Sequence, residues 1–368
     1  MHLAISLLGY APPARPWHGD YCAGILPSLL ADPQVERATL LVTPYGRRQW
    51  QHLAAESITL QLVEGLDERK RRRFYAERYI LPHMLRDLAP DAVFAPLGGA
   101  LLHPGMRYVY RLASLGYLQE PEHFSVLEQL FYGKTIPASC RSADLIVVDH
   151  SALADVAVNR GMTGKDRLRV VAAGFELPGG NGVTAGENAA KTTGDGAHAT
   201  MTGKYILCLG GDDDHLLPRL LSGLLAHTRL PRGWEDLTFV CLGRQAGSVH
   251  GPRLLAIEDA PQSVYASLLQ GASAALCLSP GESSLPALRH ALGAGLPTIA
   301  ADTPALRAVA GAGALYVAPH ELTETASALA VLLGDQRQRA DLSAEALQRS
   351  STTTWLAAAR QVLELLQK

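Results

Sequence analysis

The feature that most restricts what this chain can fold into is a rhythm that runs twice. Short β-rich runs alternate with longer segments of helical pattern, break off at a glycine-rich stretch, and then start again. In the first half the runs predict strands at Leu3–Leu8, Ala38–Val42, Ala92–Phe94, Tyr108–Tyr110 and Leu145–Val148, with Val170–Ala173 closing the series. Between them lie helical segments at Tyr21–Ala31, Glu68–Leu88 and Phe124–Arg141. In the second half YILCLGG (Tyr205–Gly211), FVCLG (Phe239–Gly243), SAALCLS (Ser273–Ser279), PTIAAD (Pro297–Asp302) and GALYVAP (Gly313–Pro319) repeat the scheme. Strand and helix in alternation argue for a parallel sheet covered on both faces. The fold class expected is therefore α/β, with two Rossmann-like doubly wound domains facing a cleft.

The break itself carries seven glycines from Gly179 to Gly203, mixed with Thr, Ala, Asn and Asp, and offers no face to bury. It reads as a linker or long excursion. The division that follows is residues 1–176 as an acceptor-side domain, 177–203 as the linker, 204–350 as a donor-side domain, and 351–368 as a terminal helix. That helix, Thr354–Leu366, follows a polar Ser-Thr-Thr-Thr cap region and is expected to cross back to the first domain. A chain of 368 residues suits two cores better than one. Ligands of doubly wound folds bind outside the carboxyl ends of the strands.

Composition removes several alternatives. Apolar residues make up 48% and charged residues 18%, which excludes disordered and fibrous classes. A net charge of −2 gives no global basic field, so nucleic acid is not an expected partner. The five cysteines, Cys22, Cys140, Cys208, Cys241 and Cys277, form no CxxC pair, which points to a reducing, cytoplasmic setting. The apolar opening MHLAISLLGY lacks a basic lead and reads as a buried strand rather than a leader. No stretch reaches the ~20 apolar residues that a membrane helix needs. No P-loop and no metal-spaced His/Cys set occurs, so neither a metal nor a cofactor is expected.

The segment Val264–Glu321, VYASLLQGASAALCLSPGESSLPALRHALGAGLPTIAADTPALRAVAGAGALYVAPHE, resembles the donor-binding segment of family 4 of the retaining nucleotide-sugar transferases, which have the GT-B architecture. Tyr265, Ser279–Pro280, Leu285–Pro286, Gly295–Pro297, Ala314–Tyr316 and Pro319 fall in register with that family's pattern. In the first half, HGDYCAGILPSLL (His18–Leu30), SLGYLQEPEHFS (Ser114–Ser125), SADLIVVDHSALADV (Ser142–Val156) and LRVVAAGFELP (Leu168–Pro178) are similar to the acceptor-side loop, the "PE.fs" stretch of mannosyl- and rhamnosyltransferases, and the closing strands.

The resemblance implies transfer of a hexose from a nucleotide-diphosphate sugar, with GDP, dTDP or UDP as the nucleotide, to a saccharide, lipid-linked or protein acceptor. Such a reaction needs the departing diphosphate stabilised and the acceptor held close. The family does this with an Arg and a Lys after the first C-terminal strand, two glutamates two helical turns apart, and a His-Asp near the acceptor. Here each place is altered. Gly211 stands where the Arg would be, after Gly210, and Asp212–Asp214 with His215 follow. Three aspartates repel a diphosphate unless they clamp a divalent ion; the alternative is that they cap the next helix. Counted from Gly295, Glu282 and His290 take the two glutamate places; counted from Leu285–Pro286, Gly281 and Arg289 do. Both alignments stay open, with Ser283 and Ser284 beside the donor in either.

Arg289, Arg244 and Arg219 are the candidate replacements for the missing cations, because a guanidinium grips phosphate bidentately. Against these readings, Glu282 is a solvated loop acid and Arg289 or His290 a helix-surface residue. The family His-Asp falls at Ala113 and Ser114, of which only Ser114 can orient a hydroxyl. Glu282 and Ser114 are thus the catalytic candidates, and His18, Gly19 and Asp20 the acceptor-side ones. A scaffold kept while its polar ligands are replaced fits two functions: an active transferase with a rebuilt site, or a binding subunit paired with an active transferase. A homodimer fits either.

ERKRRRFYAERYILPHMLR (Glu68–Arg86) is basic and aromatic, and reads either as peripheral contact with the inner membrane face or as a solvated helix face. Pro82 is expected to kink or end the first part of that helix. Asp149–His150–Ser151 looks like a hydrolase triad, but sequence neighbours cannot form one; Asp149 or Ser151 is expected as a helix N-cap.

Overall fold

The computed structural model describes residues 1–9, 21–63, 75–98, 105–176, 203–210, 217–227, 230–243, 253–258 and 260–367. They form two compact units. The first holds the elements up to Gly174 together with the stretch from Thr353; the second runs from Phe175 to Thr352. Within the described residues, no helix is long and apolar enough to cross a membrane.

The first unit is built on strands β1 (His2–Ser6), β2 (Arg37–Val42), β3 (Ile58–Leu62), β4 (Ala92–Ala95), β5 (Arg107–Arg111), β6 (Leu145–Val148) and β7 (Leu168–Val170). They lie in the order β3-β2-β1-β4-β5-β6-β7, and every pairing is parallel. The register sets Ala4 beside Thr39 on one side and Val93 on the other. Helices α1 (Tyr21–Leu30) and α2 (Pro44–Trp50) follow β1 and β2. A π-turn at Ala76–Ile80 leads into α3 (Leu81–Leu88), and α4 (Gly116–Gln119), α5 (Val126–Ser142) and α6 (Ser151–Asn159) complete the crossovers.

The second unit repeats the plan. Strands β8 (Tyr205–Leu209), β9 (Thr238–Leu242), β10 (Leu254–Ile257), β11 (Ala274–Cys277), β12 (Thr298–Ala301) and β13 (Ala314–Val317) run in the order β10-β9-β8-β11-β12-β13, all parallel. Helices α7 (Leu217–His227), α8 (Gln262–Gly271), α9 (Leu285–Gly293), α10 (Pro304–Ala310), α11 (Leu322–Gly334) and α12 (Gln336–Thr352) cover it. Both sheets reverse direction once, at β1/β4 and at β8/β11. In doubly wound sheets that reversal opens the ligand crevice.

The terminal helix α13 (Trp355–Gln367) packs into the core of the first unit through Ala358, Ala359, Val362, Leu363 and Leu366. Thr354 Oγ1 accepts from the Ala357 amide at 3.1 Å and starts it. Gly24 explains how it docks: a Cβ there would stand 2.1 Å from the Trp355 ring. Arg107 donates through Nε and Nη2 to the Leu365 carbonyl, both at 3.1 Å, and so satisfies an orphan acceptor at the far end.

The structure departs from the sequence reading in five places. Strands β3 and β10 were not anticipated; both are edge strands and only partly buried, so they lack the apolar run that marks a central strand. The run Val170–Ala173 pairs only through Val170, because β7 spans Leu168–Val170 at the opposite edge. The helix expected over Glu68–Leu88 is, in its described part, a π-turn followed by α3. Pro82 stands two residues past the π-turn, and the helix changes type at that point, as expected of a residue that cannot give the i−4 bond. The basic residues 68–73 and Phe74 lie outside the described residues. Finally, neither Asp149 nor Ser151 caps α6. His150 does, its Nδ1 accepting from the Leu153 amide at 3.2 Å, while the Asp149 carboxylate is taken up by Arg111.

Candidate functional site

In the second unit the order reversal sets the end of β8 against the end of β11. Leu276 pairs with Cys208, so two residues further on Gly210 and Leu278 leave the sheet side by side. The chain then runs through Ser279 and Gly281 into a tight turn at Glu282–Ser284 and on into α9. The two segments assigned to the donor by the sequence, Gly210 and 279–290, are therefore brought together. Gly211, Asp212–Asp214 and Arg244 lie outside the described residues, as do His18, Gly19 and Asp20. Arg219 is exposed in the first turn of α7.

Hydrogen bonds inside the 279–284 loop decide which of its side chains face outward. The Ser284 hydroxyl is buried and lies 2.7 Å from the Gly281 carbonyl and 3.1 Å from that of Ser279. It ties the loop to itself. Ser283 is exposed. The Glu282 carboxylate oxygens are both buried, so Glu282 is not the solvated loop acid of the alternative reading. Pro286 enters α9 in its first turn, where a proline is best tolerated.

Helix α9 is buried almost all round: Leu285, Ala287, Leu288, Ala291 and Leu292 are core, and so are Arg289 at 7% exposure and His290 at 3%. The expectation that one of these two is a helix-surface residue is overturned; the sheet, α10 and α12 leave α9 no solvent face. His290 turns toward α8, its Nδ1 3.3 Å from the Tyr265 hydroxyl and the two rings edge-on at 5.8 Å. Burial, with the Arg289 charge adding to it, pushes the imidazole down to about 3, so His290 is neutral at any ordinary pH. Burial drives the Tyr265 and Cys277 acids upward in the same core, Cys277 to about 12.

In the first unit, Ser114 lies just past β5. Its Oγ accepts from the Gly116 amide at 2.9 Å, forming a short turn and leaving its own O–H to donate. Ala113 beside it is exposed. Sequence reasoning missed the strongest polar feature at this end of the sheet. Arg111 closes β5, and Asp149 follows β6. They form a buried bidentate pair, Nε to Oδ1 at 2.8 Å and Nη2 to Oδ2 at 2.5 Å. Nη1 donates to the Pro96 carbonyl after β4 at 3.0 Å, and the Tyr21 ring of α1 lies 3.7 Å from Cζ. Four elements are thus tied at the carboxyl ends of the strands. A legible signal existed: RYVYR and LIVVD are apolar strand runs ending in opposite charges on neighbouring strands.

No family model and no curated protein matches the sequence. Solved structures do match in fold, over nearly the whole of both chains. WaaG, a glycosyltransferase involved in lipopolysaccharide biosynthesis, aligns with TM-score 0.68 at 14% identity, covering 99% of each chain. Anabaena HepE in complex with UDP and glucose gives 0.65 at 13% identity, covering 100% of this chain and 99% of that one. S. aureus MnaA with UDP gives 0.62 at 14% identity, covering 100% and 98%. At such identities the likeness establishes architecture: this chain has the GT-B fold of glycosyltransferases, with two Rossmann-like units, the first wound in the order 3-2-1-4-5-6-7 and the second in the order 3-2-1-4-5-6.

Proposed function

We propose that this chain is a glycosyltransferase that takes a nucleotide-diphosphate sugar at the carboxyl end of its second sheet. One observation carries the reading most: the β8/β11 reversal brings Gly210 and the Glu282–Ser284 turn together at the crevice where doubly wound sheets hold nucleotides. The structural neighbours bound to UDP support it. On this reading the backbone after β8 approaches the diphosphate through its N–H groups, and Glu282 acts on the sugar side. Ser284 does not touch the donor; it holds the loop that does. Arg289 supplies positive charge from within α9. Ser114 orients the acceptor hydroxyl, and His18, Gly19 and Asp20 keep the acceptor role that the sequence assigns them. Transfer of a hexose with retention, to a saccharide, lipid-linked or protein acceptor, is the finer form of the proposal. Contact of 68–86 with the inner membrane face would bring a lipid-linked acceptor within reach.

The second reading, a binding subunit that partners an active transferase, is favoured by one specific observation. His290, which in the alignment counted from Gly295 takes the place of a family glutamate, is locked neutral against Tyr265 in the core. Calorimetric titration with UDP, GDP and dTDP, then with their sugars, separates the two. Nucleotide binding with slow donor hydrolysis, lost in Glu282→Gln, is the expected result. Failure to bind any of these nucleotides would overturn the enzyme reading and leave the subunit.

A further inference from the structure

A rigid polar cluster stands on the far side of the 279–284 loop from Gly210. Strand β12 pairs with β11 so that Cys277 lies beside Ala300. Two residues further on, Ser279 and Asp302 leave the sheet side by side, just as Leu278 leaves it beside Gly210. The Asp302 amide still donates to the Val317 carbonyl of β13 at 2.7 Å. Thr303, the next residue, caps α10, its Oγ1 accepting from the Leu306 amide at 3.3 Å. Sheet and helix together fix where Asp302 stands.

Arg307 of α10 reaches back to that carboxylate. Its Nη2 donates to Oδ2 at 2.7 Å and its Nε to Oδ1. The guanidinium carbon lies 4.2 Å from the centre of the Tyr316 ring. Tyr316 is held in turn, its hydroxyl donating to the Gly311 carbonyl at 2.6 Å. An ordinary surface ion pair joins two mobile side chains and contributes little. Here both partners are anchored, yet both stay open to solvent, Asp302 at 41% exposure and Arg307 at 53%. The guanidinium has more N–H donors than this pairing uses, and among the described residues Nη1 donates to nothing. Each Asp302 oxygen accepts one of these bonds and keeps a lone pair.

We infer that Asp302 and Arg307 read the sugar of the donor and so set which hexose the second unit accepts. This rests on the proposal that the unit takes a nucleotide-diphosphate sugar. An N–H donor held beside a carboxylate acceptor matches two neighbouring hydroxyls, one accepting from Nη1 and the other donating to Asp302. That pattern selects a neutral hexose, because the Asp302 charge opposes a carboxylate or phosphate in the same place. Position assigns the pair to the sugar rather than to the diphosphate. Gly210 lies on one flank of the 279–284 loop and Asp302 on the other, with Glu282 in the turn between them. Stacking on Tyr316 holds the guanidinium ready, so little ordering is left to the moment of binding.

Calorimetric titration of the full chain tests it, with UDP and UDP-glucose, GDP and GDP-mannose, and dTDP and dTDP-rhamnose. The quantity read is the Kd of the sugar-nucleotide divided by that of its free nucleotide. For the pair that the wild-type chain binds, Arg307→Ala should raise this ratio about tenfold and leave the free-nucleotide Kd unchanged. Asp302→Asn, which keeps the side-chain volume, should raise it as well. Arg307→Lys should not restore it, since an ammonium cannot hold Asp302 at two points. Arg337→Ala breaks the exposed Arg337–Asp341 pair on α12 and, as the matched control, should alter neither constant. An unchanged ratio in either Arg307→Ala or Asp302→Asn would overturn the inference and leave the nucleotide site standing. Equal losses for both ligands would make the pair a prop of the loop, and would overturn it too. A wild-type chain that binds none of these nucleotides or their sugars would remove the nucleotide-sugar reading itself, and this inference with it.

Discussion

Each unit buries a polar group, one at the strand ends and one inside a covering helix, and the two are managed by opposite means. In the first unit Arg111 stays charged and is matched by Asp149, by the Pro96 carbonyl and by the Tyr21 ring. In the second, His290 is made neutral and rests on the Tyr265 hydroxyl. Pairing keeps a charge inside at the cost of making each partner indispensable to the other. Neutralisation needs no counter-ion but makes stability depend on pH. The same architecture, wound in the same order, thus gives one half that is fragile to mutation and one that is fragile to acid.

The largest effect should come from breaking the pair. Asp149→Ala strands the Arg111 guanidinium in the core, and a loss of about 3–5 kcal/mol in unfolding free energy is expected. Replacing both partners, as Arg111→Met/Asp149→Leu, should cost clearly less, because no charge is left behind. Chemical denaturation of the three proteins measures this. A double variant worse than Asp149→Ala would mean that the pair adds more than its mutual compensation.

Acid should expose the other half. His290 has a folded value of about 3 against an ordinary 6.5. The unfolded chain therefore binds more protons between those values, and stability rises with pH through that window and is lost as pH falls from 6.5. The slope from this one group approaches about 1.4 kcal/mol per pH unit midway. His290→Gln, which keeps a polar partner for Tyr265, should flatten the profile and lower the plateau. Arg111 is held above its ordinary value by Asp149 and contributes no such slope. An unchanged profile in His290→Gln would mean that solvent reaches the imidazole.

Helix packing gives a smaller contrast. Gly24 faces the Trp355 ring and Gly293 the Phe175 carbonyl, each closer than a Cβ allows, at 2.1 Å and 2.5 Å. Alanine at either should cost about 1–3 kcal/mol through forced displacement. In the first unit the Gly24→Ala cost should shrink when Trp355 is cut to Leu. The Gly293→Ala cost has no such remedy, because its neighbour is backbone.

How much of this could be read from the sequence follows from where each residue sits. Central strands such as Leu145–Val148 and Ala274–Cys277 are buried on both faces, and their unbroken apolar runs are legible. Edge strands Ile58–Leu62 and Leu254–Ile257 need no such run and left no mark. The donor-side loop was legible as a set of residues near one another, since strand order fixes that neighbourhood. Its roles were not. Spacing alone cannot tell that Ser284 bonds backwards into its own loop, or that α9 is covered on every side. Arg111 and Asp149 were passed over because each looks like an ordinary strand-end charge until the two strands are known to be neighbours.

The smallest effect concerns that loop. Ser284→Ala removes a hydroxyl that spans the Ser279 and Gly281 carbonyls and should cost about 1 kcal/mol of stability, or up to ~3 if both acceptors stay dry. If the loop is what presents Glu282, the variant should weaken nucleotide-sugar affinity by more than it weakens affinity for the free nucleotide. The reason is that only the sugar end reads the position of Glu282, whereas the backbone after β8 is untouched. Ser283→Ala, at an exposed position in the same turn, is the matched control and should leave stability unchanged. Equal losses for both ligands in Ser284→Ala would show that the loop supports the whole crevice and would separate Glu282 from any special part in holding the sugar.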